Sequence, residues 1–239
     1  MINIDDIFFS FESSEIKGFE KITELAQKQS FFPEGWDNDG LLDLDSNHSL
    51  GKLKKSLDFP PVEEAMLQLE SNHAAVKYRK RIRRLLLQNT KQESEHENDR
   101  CIERKNNLKS ELKEGLVSLD RGYLKELKKE VSTYFEQKCP IKGNFFYPRG
   151  GFRSWHTNKY DTPGWRMYVV NVDKPNQSFF RFKHPKNNKI CTYWEKSNCT
   201  VNFFCIEPEN VLWHCIGSPN ANRWSKGFRV PNTWMKKVF

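Results

Sequence analysis

Asn144-Phe145-Phe146-Tyr147, then Pro148-Arg149-Gly150-Gly151, then Phe152-Arg153-Ser154-Trp155-His156-Thr157 is the stretch that decides the fold. Two aromatic-rich runs flank a break bearing Pro and Gly, the pattern of short strands joined by a turn. The same texture continues down the chain. Residues 165–172, 178–182, 189–194, 200–206, 211–215 and 225–230 are short, aromatic or β-branched, and punctuated by Gly, Pro and Asn. Eight short strands after a run of helical character predict an α+β chain. Its C-terminal part, residues 140–239, is expected to form a double-stranded β-helix, a cupin-like jelly-roll barrel. Residues 1–139 are expected to be mostly helical.

Upstream, Ser13-Ser14 precede Phe19, Ile22, Leu25 and Ala26 at helical spacing, which predicts an amphipathic helix of about four turns. Asp37-Asn38-Asp39-Gly40 reads as a turn, because it lacks the further oxygen ligands and closing Glu of a calcium loop. Pro61 suits the first turn of another helix. Leu108, Leu112, Leu116 and Leu119 predict a further amphipathic helix, and Leu124, Leu127, Val131 and Tyr134 one more. Between them residues 89–107 are almost wholly polar and read as a link or an exposed segment.

A chain of 239 residues can build one sizeable core. No apolar run approaches the roughly 18 residues that a membrane span requires. Met1-Ile2-Asn3-Ile4-Asp5-Asp6 lacks the basic and apolar regions of a secretory signal, so the expected location is cytoplasmic, away from membrane. The six cysteines contain no CxxC pair and read as mostly buried small apolar residues rather than zinc ligands. The net charge of +8 is uneven: residues 140–239 carry 16 Lys and Arg against 5 Asp and Glu. A basic half draws anions. Lys77 to Arg84 adds six cations in eight residues, a possible nucleic-acid contact whose plainer reading is a solvated helix face.

His156 and His214 are separated by 58 residues, each preceded by a tryptophan, and Arg223 follows His214 by nine. Taken singly, each histidine reads as a buried residue satisfied by backbone carbonyls. Taken jointly they predict a metal site. On a strand, side chains at i and i+2 share a face, so His156 and Asn158 can reach one ion, with His214 arriving from another strand. Two imidazoles and one oxygen donor with open positions suit non-haem iron. The planar fork of Arg223 matches a carboxylate. His48, His73, His96 and His184 have no such setting and are expected at the surface; Trp155, Trp165, Trp213 and Trp224 are expected in the core.

The set Tyr147-Pro148-x-Gly150-Gly151-x-x-x-Trp155-His156-x-Asn158, Pro163-Gly164-Trp165-Arg166-x-Tyr168 and Trp213-His214 followed by Arg223-x-Ser225-x-Gly227-Phe228-Arg229 resembles the Fe(II)/2-oxoglutarate-dependent oxygenase superfamily, in texture its prolyl-hydroxylase-like branch. The resemblance covers about residues 143–230. It implies that His156, Asn158 and His214 hold Fe(II), and that Arg223, with Tyr147, Ser225 and Tyr168, binds the co-substrate 2-oxoglutarate. The implied reaction consumes O2 and hydroxylates an organic substrate. The third ligand in this family is Asp or Glu, and here it is Asn158. Asp161, the nearest carboxylate, lies across an expected turn. A neutral third position also admits a halogenating variant, although Asn fills the space that a halide needs. Arg229 is a second candidate for the carboxylate, and Arg166 is expected to buttress the fold. A reading from a different class is a non-catalytic basic jelly-roll module that binds nucleic acid or an acidic partner.

Overall fold

A computed structural model describes residues 2–4, 6–32, 116–158, 161–207 and 211–239. The first two stretches hold strands β1 (Ile2–Ile4) and β2 (Phe8–Glu12) and helix α1 (Glu20–Lys28). The third begins with β3 (Val117–Ser118) and helix α2 (Lys125–Tyr134). Eight strands follow: β4 (Ile141–Tyr147), β5 (Gly151–His156), β6 (Gly164–Val172), β7 (Phe179–Lys183), β8 (Ile190–Trp194), β9 (Cys199–Ile206), β10 (Trp213–Ser218) and β11 (Arg223–Arg229). A short helix α3 (Met235–Val238) ends the chain.

The strands form two antiparallel sheets. The larger has the order β1-β2-β9-β6-β11-β4-β3 and the smaller β5-β10-β7-β8. From β4 to β11 the chain passes repeatedly from one sheet to the other, so the two lie face to face as a jelly-roll sandwich. Side chains alternate across each strand, and β9 shows both consequences. Phe204 faces the smaller sheet and stacks on Phe180 with ring centres 5.3 Å apart. Its neighbour Phe203 faces the other way, under the helices, and stacks on Trp234 at 3.9 Å. A strand covered on both faces reads as a near-continuous apolar run. Losing either ring would cost about 3–5 kcal/mol.

α1 and α2 lie on the outer face of the larger sheet. Ile22, Leu25 and Ala26 of α1 join Leu127 and Val131 of α2, Met167 and Val169 of β6, and Phe228 of β11 in one core. Gly18 takes φ +75° in the turn that leads into α1, a conformation that favours glycine. α1 has nine residues, shorter than the four turns expected. Ser13–Glu15 instead makes a separate 3-10 turn, closed when the Glu12 backbone N–H donates to Glu15 Oε2 at 2.9 Å.

All eight expected strands of the C-terminal part are present, with bounds shifted by a few residues. The described part of residues 1–139 holds α1 and α2 together with three strands that were not expected: β1, β2 and β3 extend the larger sheet. The helix expected through Leu116 and Leu119 is replaced there by β3, where Val117 pairs with Phe146. Two leucines three apart imitate a helical stripe, and pairing with a distant strand overrides it. The Asp37–Gly40 turn, the Pro61 helix, Lys77–Arg84, residues 89–107, Leu108, Leu112, His48, His73, His96 and Cys101 lie outside the described residues. Among the described residues no helix is long and apolar enough to cross a membrane. Cys139, Cys199 and Cys215 are buried free thiols, and burial pushes Cys215 up to about 12.

Candidate active site

A bulge sets the geometry. On the antiparallel pair β5–β10, His156 lies directly opposite His214 and Arg153 opposite Ile216, so residues 154 and 155 together face Cys215. The extra residue re-aims the strand. Trp155 turns outward to pack with Cys215 and Phe179. Arg153 and His156, three apart, both turn inward to the cavity between the sheets.

The two imidazole rings lie 4.1 Å apart, centre to centre, at 57°. His214 is buried, and its Nδ1 is 3.0 Å from the Leu212 carbonyl oxygen. That contact assigns the proton to Nδ1 and leaves a lone pair on Nε2, the arrangement of a metal-binding histidine. Burial drives its pKa down to about 4, so the ring is neutral at neutral pH. Nε2 is 3.3 Å from Asn158 Nδ2. Half a turn of this carboxamide would present Oδ1 at the same place, as a cation requires.

At the closed end of the cavity Arg223 lies opposite Tyr147, its guanidinium 5.2 Å from the centre of the tyrosine ring. Its Nε and Nη2 donate to Glu195 Oε1 at 3.2 and 3.0 Å. Glu195 Oε2 accepts from Ser178 Oγ at 2.7 Å. Arg223 Nη1 is buried with no hydrogen-bond partner.

His156, Asn158, His214, Arg223, Tyr147, Ser225 and Tyr168 thus line one cavity between the sheets. Two further polar side chains in its wall, Arg153 and Asn202, were not singled out from sequence. Neither was Glu195. The spacing of Arg153 from His156 is wrong for a regular strand, and only the bulge brings the two together. Glu195 meets Arg223 from the other sheet, 28 residues away along the chain, for which no local signal exists.

Two glycines shape the walls. A Cβ on Gly227 would lie 2.5 Å from the Tyr168 ring, and one on Gly143 would run into the Phe145 ring. Both aromatic side chains therefore lie flat along the sheet.

The remaining candidates sit elsewhere. Arg166 is 1 % exposed and donates to the backbone carbonyls of Thr162, Gly164 and Trp165, holding the turn before β6. Arg229 lines a separate surface cavity with Pro231 and Asn232. Asp161 is absent from the cavity wall; its backbone N–H donates to the Asn158 carbonyl at 2.8 Å. Trp155 and Trp224 are core residues, and Trp165 and Trp213 pack against core clusters. His184 is buried rather than at the surface, its Nδ1 accepting from the Lys186 backbone N–H.

Among the described residues no three of His, Cys, Asp and Glu gather to hold a metal. What the cavity offers is two imidazole nitrogens and an amide. These fit a divalent ion held by neutral donors, with coordination positions left open.

No family model matches the sequence, and no curated protein does. Among solved structures the chain is similar to a prolyl-4-hydroxylase of Pseudomonas putida, at 13 % identity and a TM-score of 0.32. The match covers 48 % of this chain and 68 % of that one. The likeness is distant, and the case for a site rests on the side chains described above.

Proposed function

We propose that the chain is an Fe(II)- and 2-oxoglutarate-dependent oxygenase on a double-stranded β-helix, hydroxylating an organic substrate in the cytoplasm. The observation that carries this reading is the pair His156 and His214, directly opposite on adjacent strands with Asn158 against His214 Nε2. When bound, ferrous iron with 2-oxoglutarate supplies the oxidation of a substrate C–H bond by O2. The chain's own groups do the rest. The Leu212 carbonyl fixes the tautomer of His214, and Asn158 supplies a neutral third donor. Arg223 Nη1, Tyr147 and Ser225 orient the co-substrate at the closed end, and Tyr168 walls its flank. Phe145, Phe180 and Phe204 keep bulk water from the cavity.

Halogenation ranks below hydroxylation, because the Asn158 side chain stands where a halide would enter. Nucleic acid as substrate or partner remains part of the proposal only through the basic balance of residues 140–239 and the Lys77–Arg84 cluster. A non-catalytic basic module is the alternative, and the buried imidazole of His214 facing that of His156 favours the oxygenase over it. The test is succinate formation from 2-oxoglutarate and O2 by the purified chain with Fe(II). Turnover that persists in His156→Ala and His214→Ala, or none in the wild type, would refute the assignment.

A further inference from the structure

Arg153 is the cation of this cavity that has no counterion among the described residues. It is half-buried in β5, and its guanidinium carbon lies 5.4 Å above the ring of Phe145 on the opposite sheet. The side chain therefore reaches from the smaller sheet to the larger one through the cavity. Among the described residues it has no carboxylate partner, whereas Arg223 is held by Glu195 through two of its nitrogens. Among the described residues no Asp or Glu lines the cavity, and the side chains placed to hold a metal are two imidazoles and a carboxamide. A family site with an acidic ligand gains a negative charge at the metal; this one lacks it and adds a guanidinium. The excess of positive charge in a partly enclosed, aromatic-walled space calls for an anion from outside.

We propose that Arg153, not Arg223, supplies the charge that holds a carboxylate of 2-oxoglutarate in this cavity. Arg223 serves as half of a fixed pair with Glu195 and contributes one hydrogen bond from Nη1. The inference rests on the oxygenase reading and adds a residue and a division of labour to it. The plainer role for Arg153, a cation resting on the Phe145 ring, predicts no effect on anion binding.

The experiment is calorimetric titration of 2-oxoglutarate into the full chain loaded with Mn(II), for wild type, Arg153→Gln and Arg153→Lys. Mn(II) affinity and the thermal midpoint of each variant are measured in parallel. Arg153→Gln should weaken 2-oxoglutarate binding at least about tenfold, as expected for loss of a charge-assisted hydrogen bond. Arg153→Lys should recover most of it, and Mn(II) affinity should not change. Equal binding by wild type and Arg153→Gln overturns the role of Arg153 and leaves the oxygenase reading standing. No binding by the wild type overturns both.

Discussion

Arg223 and Glu195 form an ion pair of 3.0 Å in which each side chain is only 2 % exposed. Arg223 belongs to the larger sheet and Glu195 follows β8 of the smaller one, so the pair ties the two sheets together at the closed end of the cavity. Two charges withdrawn from water are tolerated because they meet each other and Ser178. Removing one partner leaves the other uncompensated. Glu195→Gln should lower the unfolding free energy by about 3 kcal/mol or more, read from urea denaturation. Glu195→Met with Arg223→Met should recover most of that loss. An undiminished stability in Glu195→Gln would show that the pair is not a tie.

Lys226 lies on the opposite face of β11, beneath the end of α1. Its Nζ donates to Ser30 Oγ at 2.6 Å and Asn171 Oδ1 at 3.2 Å, and burial pushes its pKa from 10.5 down to about 7. Between those values the unfolded chain binds one more proton than the folded one, so stability rises with pH. From pH 7 to 8.5 the gain is about 2 kcal/mol. His214, lowered to about 4, has finished its own contribution below this window. The raised thiols Cys139, Cys205 and Cys215 act in the opposite sense only above their ordinary value of 9.0. Lys226→Met should abolish the slope and stabilise the fold at pH 7, by urea unfolding at the two pH values.

Gly227 leaves room for Tyr168. A methyl group there meets the tyrosine ring at 2.5 Å and must drive it into the cavity. Gly227→Ala should therefore cost about 1–3 kcal/mol and weaken 2-oxoglutarate binding further than the stability loss explains. Calorimetry at a temperature where both proteins are folded separates the two effects.

Asn158 brings no charge to the place beside His214 Nε2. Asn158→Asp should tighten divalent-metal binding on the order of tenfold or more, through one added charge at short range. Asn158→Ala should weaken it. A metal affinity indifferent to both changes would place Asn158 outside the coordination sphere.

The strands of the C-terminal part were legible because aromatic and β-branched runs alternate with Pro, Gly and Asn, a local signal. Tyr147, His156 and Asn158, and likewise His214, Arg223 and Ser225, stand at spacings that regular strands convert into proximity. The bulge at residues 154 and 155 was not legible, and with it went Arg153, since a two-against-one pairing is set by the partner strand. β3 and Glu195 escaped for the same reason: each acts through a partner distant along the chain. His184 was misplaced because its burial comes from the packing of its turn rather than from any pattern around it.

The most direct measurement on the paired histidines is the visible spectrum of the anaerobic protein with Fe(II), before and after addition of 2-oxoglutarate. A weak metal-to-ligand charge-transfer band should appear with the co-substrate and be lost in His214→Ala. No band in the wild type, or the same band in His214→Ala, would contradict the oxygenase reading.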